Sequence, residues 1–385
     1  MDLDKCINIL TQLVGFESIS AHPNEPIVSY IQDYLAQHGI ESTLSYDKSG
    51  LKANLFATIG PHCDGGLVFN GHTDVVPVAG QNWSTPPFTL TAIDDKLFGR
   101  GSVDMKGFLA CMLASVSVFK DANLKKPIHL AFSFDEEIGG FGMPFLLDSI
   151  DSLGIRPEIV IVGEPTDMKL ITAHKGGYEM RTEVIGYEVH SCDPTLGVNA
   201  IAVASQLINK IYDIAQRLSE QPHADSEFVP PYCTFNVGII EGGMATNATA
   251  GQCHFNWEFR PMPGEDGQLI ISELQHYAET ELLPAMKEIH EYSAIDIITD
   301  APVPALNDKH AAKAAEFVSS ITGLNSRDVV SFGTDAGYFS DKGMSTVVFG
   351  PGSISRAHKP NEFIKRGELQ QGMEFMQQVA QRLSQ

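Results

Sequence analysis

The chain has 385 residues, enough for two or three domains and a large core. Its 43% hydrophobic and 19% charged content is that of a soluble globular protein, and no apolar run approaches the length of a membrane span. A formal net charge of -22 makes nucleic acid and anionic membranes poor partners, while a cationic substrate would be tolerated. The start, Met-Asp-Leu-Asp-Lys-Cys, has no basic region ahead of an apolar stretch, so no signal peptide is expected. Cys6, Cys63, Cys111, Cys192, Cys233 and Cys253 are scattered without CxxC spacing and read as free thiols in a reducing, cytoplasmic setting.

In chain order, residues 3–14 and 25–39 carry helical spacing. Leu67-Val68-Phe69 then reads as a buried strand leading into Asn70-Gly71-His72-Thr73-Asp74. Asp104-Met105-Lys106-Gly107 opens an apolar helix with Phe108, Leu109, Met112, Leu113, Val116 and Phe119 on its buried side. Ile128–Phe134 leads into Asp135-Glu136-Glu137, and Ile159–Val162 into Gly163-Glu164-Pro165. This alternation is α/β. After His174-Lys175-Gly176-Gly177 the texture changes. Tyr178–Val184, a helical run from Ile201 to Leu218, alternating Phe235/Val237/Ile239 and Cys253/Phe255/Trp257/Phe259, a helical run from Leu269 to Leu282, and Ile295–Ile298 give the order βαββαβ. The α/β pattern resumes near residue 303, where Thr346–Phe349 leads into a Gly/Pro loop reaching His358. The expected organisation is an α/β catalytic domain in two parts, 1–176 and 301–385, with an inserted ferredoxin-like βαββαβ domain at 177–300.

In open α/β sheets, ligands sit at the carboxyl ends of the strands. The pattern therefore gathers His72, Asp104, Glu137, Glu164 and His358 at one sheet edge. Nitrogen and carboxylate ligands without thiolate suit Zn, Co or Mn rather than a structural zinc. Three carboxylates and two imidazoles exceed what one tetrahedral ion with an open position needs. They match two ions sharing a bridging carboxylate, roughly 3.5–4 Å apart, able to activate a shared water and polarise a carbonyl. A lone His or Asp in a Gly-rich turn is usually a cap or turn former. The adjacent Glu136 and Glu137 are harder to dismiss, because two carboxylates at the end of a buried strand repel each other unless cations offset them.

These motifs resemble the signatures of the M20 family of co-catalytic zinc amidohydrolases and peptidases. Gly71-His72-Thr73-Asp74-Val75-Val76-Pro77, Gly99–Gly107, Asp135-Glu136-Glu137, Gly163-Glu164-Pro165-Thr166 and Ala357-His358-Lys359-Pro360-Asn361-Glu362 occur in the family's order, and the resemblance spans essentially the whole chain. It implies that His72, Asp104 and Glu164 hold one ion and that Asp104, Glu137 and His358 hold the other, zinc foremost and cobalt next. It implies Glu136 as general base, and Asp74 as the group orienting His72. The inserted domain would be a dimerisation lid making the protein a homodimer. Its His190, in Gly186–Ser191, would stabilise the oxyanion in the partner's site. Asn247 and Arg260 would bind the substrate carboxylate, and Gly333 and Thr334, in the loop Ser331–Tyr338, would line the substrate. The substrate implied is a small N-acyl amino acid. Stretches such as Phe349–His358 point to Nα-acetyl-L-ornithine, a precursor in arginine biosynthesis. An N-succinyl-diaminopimelate or a broader range of N-acyl amino acids and dipeptides is the alternative, because the family members that act on acetylornithine tend to carry Glu where Asp335 stands.

Overall fold

The computed structural model describes residues 2–385. It divides into two compact units, one reaching to His174 and resuming at Leu306–Gln385, the other Lys175–Ala305.

The first unit is built on an eight-stranded sheet. Its order is Ser42–Tyr46, Ala53–Ile59, Ile128–Ser133, Leu67–His72, Ile159–Val162, Ser345–Val348, Ile171–His174, Asp328–Val330. The four strands expected to end in ligand-type residues are the four contiguous central ones, and each pairs parallel with the next. Parallel central strands are covered on both faces, which is why these runs are apolar throughout rather than alternating. From Leu67–His72 the chain crosses to Ile128–Ser133 on one side and returns to Ile159–Val162 on the other. That reversal opens a crevice at the carboxyl ends of these strands, where an α/β sheet binds its ligand.

Helix Leu3–Gly15 starts at Asp2, whose carboxylate accepts the Lys5 N–H, and buries Cys6, Ile9, Leu10, Leu13 and Val14 on one stripe. It packs on Lys106–Ala114, which the C-terminal helix Arg366–Leu383 also covers. The apolar run after Asp104 was expected to form one helix with a single buried side. It forms two, Lys106–Ala114 and Val116–Asp121, and every residue of the first is buried. Sandwiching between sheet and outer helices explains the absence of a polar face. A small antiparallel sheet pairs Lys96–Phe98 with both Thr91–Ile93 and Phe363–Lys365. It ties the chain just before Gly99–Asp104 to the chain just after His358–Glu362.

The second unit has four antiparallel strands in the order Thr234–Gly242, Gln252–Arg260, Gly177–Ile185, Ala294–Val303. Helices Ala200–Ser219 and Gly267–Tyr277 complete βαββαβ, the second continuing through a π-turn into Leu283–Ile289. Their apolar sides meet Val184, Phe255, Trp257 and Phe259 in a core of its own. The unit is slightly longer than the expected 177–300. The last strand pairs with the first, through a register shift between Thr299 and Ala301, down to Val303 opposite Gly177, and the insertion opens at Lys175 and closes at Ala305. Among the described residues, no helix is long and apolar enough to cross a membrane.

Candidate metal centre

His72 is the last residue of the Leu67–His72 strand, and Asp74 stands two residues beyond it. Glu136 and Glu137 form a 3-10 turn beyond Ile128–Ser133, entered through the left-handed Asp135 (φ 56°). Glu164 stands two residues past Val162. His358 lies on the loop after Ser345–Val348, and Asp104 precedes the buried helix Lys106–Ala114.

The structure brings all five candidate ligands together. His72 Nε2 is 3.2 Å from Asp104 Oδ1 and 3.6 Å from Glu164 Oε1. His358 Nε2 is 3.3 Å from Asp104 Oδ2 and 2.8 Å from Glu137 Oε2. Asp104 thus turns one oxygen to each imidazole, the disposition of a bridging carboxylate. His72, Asp104 and Glu137 offer one atom each within 4.8 Å of one another, and so do His72, Glu136 and Glu164. Glu136 is therefore at the cluster rather than beside it.

Asp74 reaches His72 chiefly through its main chain. His72 Nδ1 is 3.0 Å from the Asp74 main-chain carbonyl and 3.6 Å from its carboxylate. A carbonyl only accepts, so Nδ1 carries the proton and Nε2 is left to face Asp104 and Glu164. The Asp74 carboxylate instead accepts from Ser20 Oγ at 2.7 Å and from the N–H groups of Glu136 and Glu137 at 3.2 and 3.3 Å. Its main chain sets the imidazole and its side chain sets the two glutamates.

The electrostatics are those of a crowded anionic pocket. Burial, then the charge of Glu164, pushes the Glu136 carboxyl well above its usual range. Burial, then Asp104, does the same for Glu164 and lifts Glu137 to about 7. Buried Asp335, hydrogen-bonded by Ser133 Oγ at 2.5 Å, is pushed up to about 6 chiefly by burial. Hydrogen bonds to Asp104 and Glu137 lift the His358 imidazole to about 10. Burial would lower His72, but the hydrogen bond to Asp104 and the nearby Asp74 and Glu164 carboxylates outweigh it and raise the imidazole. Burial likewise opposes ionisation of Asp104, yet the two imidazoles hold its carboxyl well below the usual range. Glu137 Oε1, Glu164 Oε1 and Asp335 Oδ1 are buried without a hydrogen-bond partner. Orphaned carboxylate oxygens on buried groups, amid an excess of negative charge, fit divalent cations.

A pH signature follows for the metal-stripped protein. Glu137, Asp335 and His358 have raised folded-state pKa values, as do Glu136, Glu164 and His72. A raised pKa means that the folded state binds more protons, so each contribution to stability is lost as pH rises through that value. His129, lowered to about 4 by burial, works the other way between about 4 and 6.5, and Lys106, lowered to about 7 by burial, does so above about 7, two groups against six. The melting temperature of stripped protein should fall between pH 5.5 and 8, and saturating zinc should remove most of that fall. Scanning calorimetry at the two pH values checks this.

Packing fixes Glu164 from behind. A Cβ on Gly163 would stand 2.0 Å from the Phe108 ring. Gly163→Ala should cost about 1–3 kcal/mol through overpacking and displace the Glu164 carboxylate. Urea unfolding of the stripped protein measures the first effect.

Thr334 is buried, and its hydroxyl is engaged by His174 Nε2 at 3.0 Å and by the Ala336 N–H at 3.1 Å, while Gly333 is half-buried. In the inserted unit, exposed His190 bridges to Ala248, and the Ser191 N–H donates to the Asn247 carbonyl, so the His190 and Asn247 segments are neighbours. Arg260 is paired with Glu258 at 2.9 Å.

Sequence reasoning gave no role to Ser20, Arg100 or Glu362, and treated Asp335 only as a departure from the form usual in members that act on acetylornithine. Arg100 and Glu362 stood inside the quoted motifs. Polar residues of that kind, charged yet flanked by buried-strand and ligand segments, were the available signal.

An α/β unit gathering carboxylates and imidazoles at its central strand ends, interrupted by a small βαββαβ unit, defines a two-unit protein of the metallohydrolase type. Residues 68–382 match Peptidase family M20/M25/M40. The acetylornithine deacetylase of Klebsiella pneumoniae (strain 342) is 32% identical over 385 residues, covering 98% of this chain and 97% of that protein. Among solved structures, an M20 family metallo-carboxypeptidase from Sulfolobus solfataricus aligns with a TM-score of 0.74 at 19% identity over 100% of both chains. A dinuclear metal-binding M20 peptidase from Bacillus subtilis aligns with a TM-score of 0.68 at 16% identity, over 98% of this chain and 97% of that one. The chain belongs to peptidase family M20/M25/M40.

Proposed function

We propose that the protein is a dinuclear metal amidohydrolase that cleaves Nα-acetyl-L-ornithine to acetate and L-ornithine, a step of arginine biosynthesis in the cytoplasm. The observation that carries the reading is the buried cluster in which Asp104 turns one oxygen to His72 and the other to His358 while neighbouring carboxylates lack partners. Nearly full-length similarity to an acetylornithine deacetylase supports the substrate.

His72, Asp104 and Glu164 would hold one divalent ion, and Asp104, Glu137 and His358 the other, with zinc or cobalt the best match to these donors. When bound, the ions supply Lewis acidity to the amide carbonyl and acidify the attacking water. Glu136, its main chain clamped by Asp74, accepts the water's proton and returns it to the leaving α-nitrogen. In a homodimer, His190 acts in trans on the developing oxyanion. The exposed edge strand Thr234–Gly242, with Ile239 and Ile240 half-exposed, offers a face for such pairing. Asn247 and Arg260 receive the α-carboxylate, Arg260 sharing its guanidinium with Glu258, and Gly333 with Thr334 backs the substrate side.

The second reading is a succinyl-diaminopimelate desuccinylase or a broader N-acyl-amino-acid deacylase or dipeptidase, kept by Asp335 at the cluster. Parallel assays of zinc-loaded protein on Nα-acetyl-L-ornithine and N-succinyl-diaminopimelate decide between them. Turnover of the acetyl substrate alone is expected, and preference for the succinyl substrate would overturn the assignment.

A further inference from the structure

Three buried or half-buried groups outside the ligand set join the two segments that carry Asp104 and His358. The Glu362 carboxylate, 1% exposed, accepts four hydrogen bonds. Oε1 takes the N–H groups of Val103 and Asp104 at 2.9 and 3.1 Å. Oε2 takes the Gly101 N–H at 3.0 Å and Arg100 at 2.7 Å. Arg100, also 1% exposed, donates its other terminal nitrogen to Gln81 Oε1 at 2.6 Å. Trp83 Nε1 donates to the same oxygen at 3.1 Å. Two donors on that atom identify it as the amide oxygen, so Gln81 Nε2 is the donor that reaches the His358 main-chain carbonyl at 3.0 Å.

His358 needs such a hold. Its backbone is left-handed (φ 60°), a conformation costly for a residue with a Cβ. Its side chain is 55% exposed, so packing does not fix the imidazole. A buried Arg–Glu pair is weak evidence for stability, because desolvation offsets much of its attraction. Its geometry here has a different use.

We infer that Glu362, Arg100 and Gln81 form a positioning bridge that sets the spacing between Asp104 and His358, and thereby the affinity of the metal position those two residues share with Glu137. The inference rests on the two-ion reading above. Glu362 holds the backbone of Asp104, which serves both positions, whereas Gln81 holds only His358. The two ends of the bridge therefore have different consequences.

The test titrates metal-stripped protein with Co(II), followed by visible absorption and calorimetry. Gln81→Glu keeps an acceptor for Arg100 and Trp83 but removes the donor to His358. It should weaken one position about 10–100-fold, the range for partners of ligating groups, leave the other unchanged, and leave the melting temperature of stripped protein unchanged. Glu362→Gln should weaken both positions. Wild-type affinities at both positions in Gln81→Glu would overturn the bridge, as would equal weakening of both with a lowered melting temperature, which is the mark of a purely structural role. Gln81→Glu decides the matter alone if Glu362→Gln fails to fold. Fewer than two Co(II) bound by the wild type would instead sink the two-ion reading, and the bridge with it.

Discussion

Glu136→Gln should lower turnover about 10²–10⁴-fold, the range that a positioned general base contributes, while metal content and KM stay near their wild-type values. Glutamine matches glutamate in shape but does not take a proton at neutral pH. The local structure should survive, because Asp74 holds this turn through the N–H groups of Glu136 and Glu137 rather than through the Glu136 side chain. The same variant tests a competing geometry. Glu136 shares a 4.8 Å grouping with His72 and Glu164, so it could serve as a ligand instead of a base. In that case the variant would lose an ion along with its activity. Metal analysis of the purified variant beside its steady-state rate separates the two roles, and near-normal turnover would remove Glu136 from the chemistry.

Asp104→Asn should have the largest effect on metal binding. Each Asp104 oxygen lies 3.2–3.3 Å from a different imidazole, so one substitution reaches both positions. An amide offers one neutral oxygen where two anionic ones are needed. The loss at each position should exceed the roughly 10–100-fold that removing an outer partner costs. The main chain should keep its place, since Glu362 grips the Asp104 N–H and not the side chain. Zinc titration of stripped Asp104→Asn, with circular dichroism as the folding control, checks this. Two ions bound at wild-type affinity would show that Asp104 does not bridge.

Much of the fold and the cluster could be read from the chain because the two signals reinforce each other. Buried parallel strands leave continuous apolar runs, and the sheet edge where they end is where His72, Glu137 and Glu164 stand. The inserted unit was readable because alternation and helical spacing differ in period, as in Phe235/Val237/Ile239 against Ile201–Leu218. The exact ends of that unit were not, since strand pairing rather than composition carries Ala294–Val303 past residue 300. The break at Ser115 was hidden for a related reason, because a helix buried all round has no polar stripe to show where it stops. The division of labour within Asp74 was out of reach. Spacing places it two residues from His72, but only three dimensions bring its carboxylate to the N–H groups beyond Ile128–Ser133. The bridge from Glu362 to Gln81 spans 281 positions of sequence for the same reason.

The most direct measurement is free-amine release from Nα-acetyl-L-ornithine by metal-stripped protein, repeated as zinc or cobalt is added back and bound metal is counted. Negligible turnover in the stripped protein, rising to a plateau as two ions bind per chain, is the predicted result. Equal turnover with and without metal, or none with two ions bound, would contradict a metal-dependent acetylornithine hydrolase.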